Sequence, residues 1–559
     1  MRRAAAAAVA ALVALVLAGC TTLPTTGPVH AANPQIPAGY SVDVLAEGPV
    51  VDASAQEIVE GFLRASAYGF SDDFSVARQF LAPAIRDSWD PTAQLRVYSA
   101  AKNPGVLRGP DGGVTVTIDQ VAVLDSSGRY SETGPTPATS TFTLVRGNDD
   151  QWRIAVLADG LLISDLNFQQ TFSWIPLYFL TMDYASLVPY TRWYPFEGRA
   201  AAVVRGLLEG PSGGLAPAIA TAFPEGTTLG TGGVAVQDGV AVVDLSRAAL
   251  TATEEQRSLM LTQLHATLSS ITEVTSVRIT VNGARLDAGD PAQELSVPTS
   301  VSSPVMISDG ALARWNGREV VLVEGAEGLD GLEPSDPAVP YEGVDAPTVV
   351  LSGGDRLLSV PTPGIPPAVL HEGTDLAPPS IDRHGWIWTT SAESSGSLVA
   401  VTGYGAGTEV SAPWLTGRQV THLRVSADGA RILVVSRLGD GTRIELAAVL
   451  RDRTGMPTLL GEPIRIGESL TDVTDVTWVD QATVAVLGSV LAEPDDRVHL
   501  VTIGGTTSVL QLVEDAVSLT SNQNARSIVV ATSDGRLYVR NGIGWREVAQ
   551  SVSDPAYSG

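Results

Sequence analysis

The chain has 559 residues, a formal net charge of −26 at pH 7 and 44% hydrophobic residues. Such acidity excludes the basic face that nucleic acid demands and adsorption to an anionic lipid surface. A single cysteine, Cys20, leaves no internal disulfide, so stability rests on burial, for which the length provides several cores.

Arg2 and Arg3 precede an apolar run from Ala4 to Val16, and small residues follow. A charged start, a short apolar stretch and a small-residue cut make a secretory signal. The run falls short of the roughly 20 apolar residues of a spanning helix. Its end, Leu17-Ala18-Gly19-Cys20, resembles the bacterial lipobox. The resemblance implies that the Cys20 thiol receives a diacylglyceryl group and that Cys20 becomes the first mature residue. An ordinary secretory cut beside an incidental thiol is the alternative; a lone exposed thiol is a liability in an exported protein. Two or more acyl chains, each gaining about 0.8 kcal/mol per buried methylene, give a stable anchor. The expected address is therefore the extracytoplasmic face of the cell membrane, with residues 1–19 as signal peptide. Residues 20–45, rich in Thr, Pro and small side chains, read as an extended tether.

The segment 46–176 reads as an α+β domain. Ser54-Ala55-Gln56-Glu57 has the capping-box pattern, with an apolar stripe at Ile58, Phe62 and Ala65 behind it. A second helix is expected through Phe74, Ala77, Phe80 and Leu81, stopped by Pro83. The period then changes to two at Val114, Val116 and Ile118, and a later strand carries Phe142 and Leu144 and ends near Trp152-Arg153-Ile154. Helices before an antiparallel sheet resemble the cone-shaped fold of nuclear-transport-factor-like domains. No His or paired acids recur in these strands, which favours a non-catalytic domain.

In 177–287 the stretch "EGRAAAVVRGLLEGP" places Ala200, Val203, Val204, Leu207 and Leu208 on one helical face, with Gly210 and Pro211 ending the helix. "VAVQDGVAVVDLS" is a hairpin turning at Asp238-Gly239; a second helix carries Leu261, Leu264, Leu268 and Ile271; "VTSVRITVNGARL" is a strand leading to the Asn282-Gly283 turn. The phrases "LVPYTR", "LLEGPS", "TAFPEGTTL", "VAVVDLS" and "VRITVNG" together resemble the GerMN domain of sporulation and cell-envelope proteins. Gly210-Pro211-Ser212-Gly213-Gly214 fits the letters of a hydrolase elbow, yet a helix enters it and a Pro-containing loop leaves, the reverse of what a nucleophilic serine requires. His265 lies off the leucine stripe and reads as a surface residue.

A linker, 288–304, leads into 305–559, where short Val, Leu and Ile strands alternate with Asp309-Gly310, Asp428-Gly429, Asp440-Gly441 and Asp534-Gly535. Loosely recurring hairpins, punctuated by Trp386, Trp388, Trp478 and Trp545, indicate a β-propeller of about six blades. Gly403-Tyr404-Gly405-Ala406-Gly407 is followed by no helix that would hold a pyrophosphate. His371, His384, His422 and His499 are scattered, so neither a metal nor another cofactor is expected. The fold class is thus two α+β domains followed by an all-β propeller.

With "PPSIDRHGWIWTT" and "VTDVTWVDQATVAVL" in its last domain, the chain resembles the LpqB-type lipoproteins of actinobacteria. The resemblance implies a non-enzymatic accessory that binds the ectodomain of an MtrB-type sensor kinase, modulates its phosphorelay and so affects envelope homeostasis and cell division. Two other readings stay open: an envelope-glycan or peptidoglycan binder, and an enzyme whose carboxylates converge only in three dimensions.

Overall fold

The computed structural model describes residues 47–559 apart from 110–111, 292–294, 296, 394 and 440. Leu17, Ala18, Gly19 and Cys20, the expected signal peptide, the expected tether and Asp440 lie outside the described residues. No described helix is long and apolar enough to cross a membrane.

Helix α1 (Ala55–Ala67) starts where Ser54 accepts the Glu57 N–H and the Glu57 carboxylate accepts the Ser54 N–H, the reciprocal box that the sequence announces. Its buried face, Ile58, Val59 and Phe62, lies on a sheet built from β1 (Gln94–Tyr98), β2 (Gly105–Arg108), β3 (Val114–Asp125), β4 (Tyr130–Arg146), β5 (Trp152–Val156) and β6 (Leu161–Ser164). The order is β5-β4-β3-β1-β6 with β2 on β3, antiparallel except for the β1–β6 pair. Two expectations need correction. The second helix shrinks to a 3-10 turn over Ala77–Phe80, because Asp73 and Phe74 hold φ of 52° and 58°, a left-handed backbone that no right-handed helix admits. Phe142 and Trp152 belong to two strands, since Asp150 at φ 59° turns the chain back and lays β5 against β4.

After α2 (Asp165–Thr171) comes β7 (Phe172–Thr181), which pairs with β8 (Leu187–Pro195) and β9 (Ile219–Ala220). Helix α3 (Arg199–Leu208) lies between β8 and β9 in sequence. A second sheet has the order β10 (Leu229–Gln237), β11 (Val240–Leu245), β12 (Ser276–Val281), β13 (Ala284–Arg285). The β11–β12 pair is parallel, with helix α4 (Glu254–Leu268) as its crossover. Asp238-Gly239 and Asn282-Gly283 both carry two positive φ values, the mirror-image turn that a two-residue hairpin requires. Val203, Val204, Leu207, Leu264 and Leu268 are fully enclosed between the sheets, while Leu208, expected on the same face, is only partly buried.

From Val305 onward the described strands form four four-stranded sheets and one nine-stranded sheet, in which pairing of Gly407–Ser411 with Pro457–Leu460 joins two of the six blades, and the last residues close the ring: Ser553–Ala556 pairs with Val305–Ser308 of the first sheet. The innermost strands begin at Pro334, Ser380, Gln419, Leu470, Ala516 and Ser553. Gly403–Gly407 is the hairpin connection between Ser397–Val401 and Gly407–Ser411, not a helix entry. Trp388 is blade core; its indole N–H donates to Asp382 at 2.9 Å, and Arg451 from the next blade reaches the same carboxylate.

The three domains are tied together. The Trp193 indole donates to the Gly504 carbonyl at 2.8 Å, Glu132 accepts the Thr507 N–H and hydroxyl at 2.9 and 2.7 Å, and Asp183 pairs with Arg383. Ala430, Leu446 and Ala448 of the propeller complete the core of the middle domain. At Gly214 a Cβ would stand 2.2 Å from the Glu462 carbonyl, so the loop that imitates a hydrolase elbow is a docking surface that only glycine fits.

Candidate functional site

The innermost strands surround a cavity of about 190 Å³ on the propeller axis. Its walls come from successive blades and from the linker residue Val297, and they mix Tyr341, Trp478 and Tyr557 with Asp336, Asp475, Asp480, Asp554 and Arg424. Two of the acids sit in the same local sequence: Ser-Asp-Pro-Ala occurs at 335–338 and again at 553–556. In both copies the aspartate takes a positive φ, 46° at Asp336 and 50° at Asp554, a conformation that Asp tolerates better than most residues.

The acids differ in how they are held. Asp475 is buried and satisfied: it accepts the Leu519 N–H at 2.8 Å and the Val476 N–H at 2.7 Å, with Arg424 at 3.6 Å and His422 at 3.7 Å. Arg424 is positioned by the Pro378 and Leu423 carbonyls, and its own carbonyl accepts the Trp478 indole at 3.0 Å. Burial holds the His422 imidazole down at about 4, Asp475 offsetting it only in part, so that ring is neutral at physiological pH. Asp336 and Asp554, by contrast, have no ion-pair partner among the described residues. Burial, reinforced by Asp554, pushes the Asp336 carboxyl up to about 6, and burial raises Asp554 as well.

An acid with a raised folded pKa costs stability once ionised. For Asp336 the cost is absent below its ordinary 3.8 and complete once the pH has passed about 6. Asp336→Asn, whose side chain also tolerates positive φ, should stabilise the protein at pH 7.5 by about 3 kcal/mol, at 1.36 kcal/mol per unit, and the advantage should vanish as the pH falls to 4. Thermal melts of parent and variant across that range check it; a constant gap would mean that Asp336 is not the titrating group.

Other candidates from the sequence are not brought together. Ser212 follows a helix, its hydroxyl accepting from Arg192 at 3.2 Å and lying 3.4 Å from the Tyr190 hydroxyl, with no strand entering it. His384 adjoins Asp382 and His371 lies in the last strand of its blade, away from the cavity lining. No three His, Cys, Asp or Glu side chains among the described residues are placed to hold a metal ion. Sequence reasoning missed the axial acids altogether; the repeated Ser-Asp-Pro-Ala was the signal that pointed to two of them.

Three family models match in order. The N-terminal domain of lipoprotein LpqB matches residues 48–169, the sporulation and spore germination family 176–287, and the lipoprotein LpqB beta-propeller domain 310–558. Lipoprotein LpqB of Cutibacterium acnes is 27% identical over 592 aligned positions, covering 98% of both chains. That of Streptomyces avermitilis is 28% identical over 601, covering 98% of this chain and 97% of its own. Among solved structures, the first GerMN domain of the Bacillus subtilis sporulation protein GerM is 20% identical, with a TM-score of 0.18, over 22% of this chain and 97% of its own. TolB from Acinetobacter baumannii is 14% identical, with a TM-score of 0.35, over 46% of this chain and 66% of its own. Matched by three consecutive models and by relatives over nearly their full length, the chain belongs to the LpqB lipoprotein family.

Proposed function

We propose that this lipoprotein works on the extracytoplasmic face of the cell membrane as a tethered binding module for the ectodomain of an MtrB-type sensor kinase, and that it acts through that kinase on envelope homeostasis and cell division. The observation that supports a binding role is the fixed placement of the middle domain on the propeller, through Trp193–Gly504, Asp183–Arg383 and the shared core around Leu446. A composite surface held in one geometry loses little entropy on association. Acylation at Cys20 would confine it to the plane in which a membrane kinase diffuses, raising its effective concentration there. With a net charge of −26 it would favour a basic contact surface, and association would slow as salt rises.

Cys20→Ser should release folded protein from the membrane fraction; protein that stays there after a high-salt wash would overturn the anchor. The released chain, titrated against the kinase ectodomain at two ionic strengths, should bind, more slowly at the higher one. Absence of binding together with retention of peptidoglycan fragments would replace the kinase reading with the glycan-binding one.

A further inference from the structure

We propose that the axial cavity is a binding site for an organic cation, an ammonium or guanidinium group, which Asp336 and Asp554 hold between them. The inference is independent of the kinase reading. Both carboxylates line the same cavity, on neighbouring inner strands, and neither has a cationic partner among the described residues. Among the described residues the one cation lining that space is Arg424, which lies 3.6 Å from Asp475, donates to two carbonyls and offsets the burial of Asp336 only in part. Asp554 accepts the Ser553 hydroxyl at 2.9 Å, a neutral donor that leaves its charge unpaired, and the Ser518 hydroxyl of another lining residue is enclosed with no hydrogen-bond partner among the described residues.

The rest of the cavity fits the stem of such a cation. Tyr341, Trp478 and Tyr557 and the rings of Pro337, Pro378 and Pro555 supply apolar walls, and aromatic faces attract ammonium and guanidinium groups. About 190 Å³ is more than ten times the ~10–15 Å³ that one water needs, so a side-chain-sized group enters without displacing protein. Two carboxylates beside apolar and aromatic walls suit an organic cation, whose stem those walls would cover, better than a divalent ion, which takes about six or more oxygen ligands. Two paired carboxylates in a desolvated setting bind a cation more strongly than exposed ones, because the cation relieves their mutual repulsion as well as their burial.

The test uses the full chain carrying Cys20→Ser, titrated calorimetrically with agmatine, with a short peptide bearing one internal arginine, and with calcium chloride. Saturable one-to-one binding of agmatine or of the peptide is expected, weakened at least tenfold in Asp336→Asn/Asp554→Asn, whose thermal melt at pH 7.5 shows it folded. Tighter binding of agmatine assigns a free small amine as the natural source, and tighter binding of the peptide assigns a polypeptide side chain. Failure of both to bind, binding unchanged in the double variant, or calcium binding alone would each overturn the assignment.

Discussion

Replacing Arg431 by methionine should destabilise the propeller by about 3–5 kcal/mol, a loss typical of breaking a buried ion pair. Arg431 and Asp428 are both almost wholly enclosed, and the guanidinium makes a further bond at 2.7 Å to the Gln481 carbonyl of the next blade while lying 5.1 Å over the Trp478 ring. The substitution leaves the fully enclosed Asp428 carboxylate without its cation. Its two remaining donors, the Ser426 hydroxyl at 2.7 Å and the Ala430 N–H at 2.9 Å, are neutral groups that do not replace a guanidinium. Arg431→Met/Asp428→Asn removes the stranded charge and keeps an acceptor for both donors, so it should recover more than half of the loss. Denaturant melts of the parent and the two variants decide the matter. Equal destabilisation of single and double variants would assign the loss to the inter-blade bond and not to the charge.

The second large effect is expected at Leu207→Asp, which should unfold the middle domain at 37 °C at a cost above about 4 kcal/mol. Leu207 is fully enclosed in the hydrophobic core that also contains Leu446 and Ala448 of the propeller, so an introduced carboxylate would lose its water among apolar side chains. Because the core is shared, the damage should spread: limited proteolysis should open the Glu462 region as well as helix α3. Ser212→Ala, one loop away, should cost only about 1–2 kcal/mol, since it removes a bond from the Arg192 guanidinium at 3.2 Å and a weaker one with the Tyr190 hydroxyl at 3.4 Å. Survival of the Leu207→Asp fold with an unchanged melt would show that the shared core does not hold the two domains together.

What the sequence determined by itself is local. The Ser54–Glu57 box, the Asp238-Gly239 and Asn282-Gly283 turns, the stripe through Val203, Val204 and Leu207, and the alternation of β3 each follow from side chains within a few residues of one another, and the structure has each of them. The departures came where a distant partner or one backbone angle overrides the pattern. Phe74 and Phe80 are spaced as for a helix, but left-handed residues at Asp73 and Phe74 break it while the core still takes both rings. Trp478 shares its strand pattern with blade-core tryptophans, yet it lines the axial cavity.

That cavity was not legible along the chain, because its acids come from residues 336, 475, 480 and 554 and meet only when the strand at Ser553–Ala556 closes the ring on Val305–Ser308. The same holds for Gly214, a plain loop glycine until the Glu462 carbonyl is brought against it. Periodicity and turn chemistry act over a few residues and are written in the sequence. Desolvation, the pairing of charges and the space left for a ligand depend on which distant strands become neighbours, and closure of the ring alone decided that.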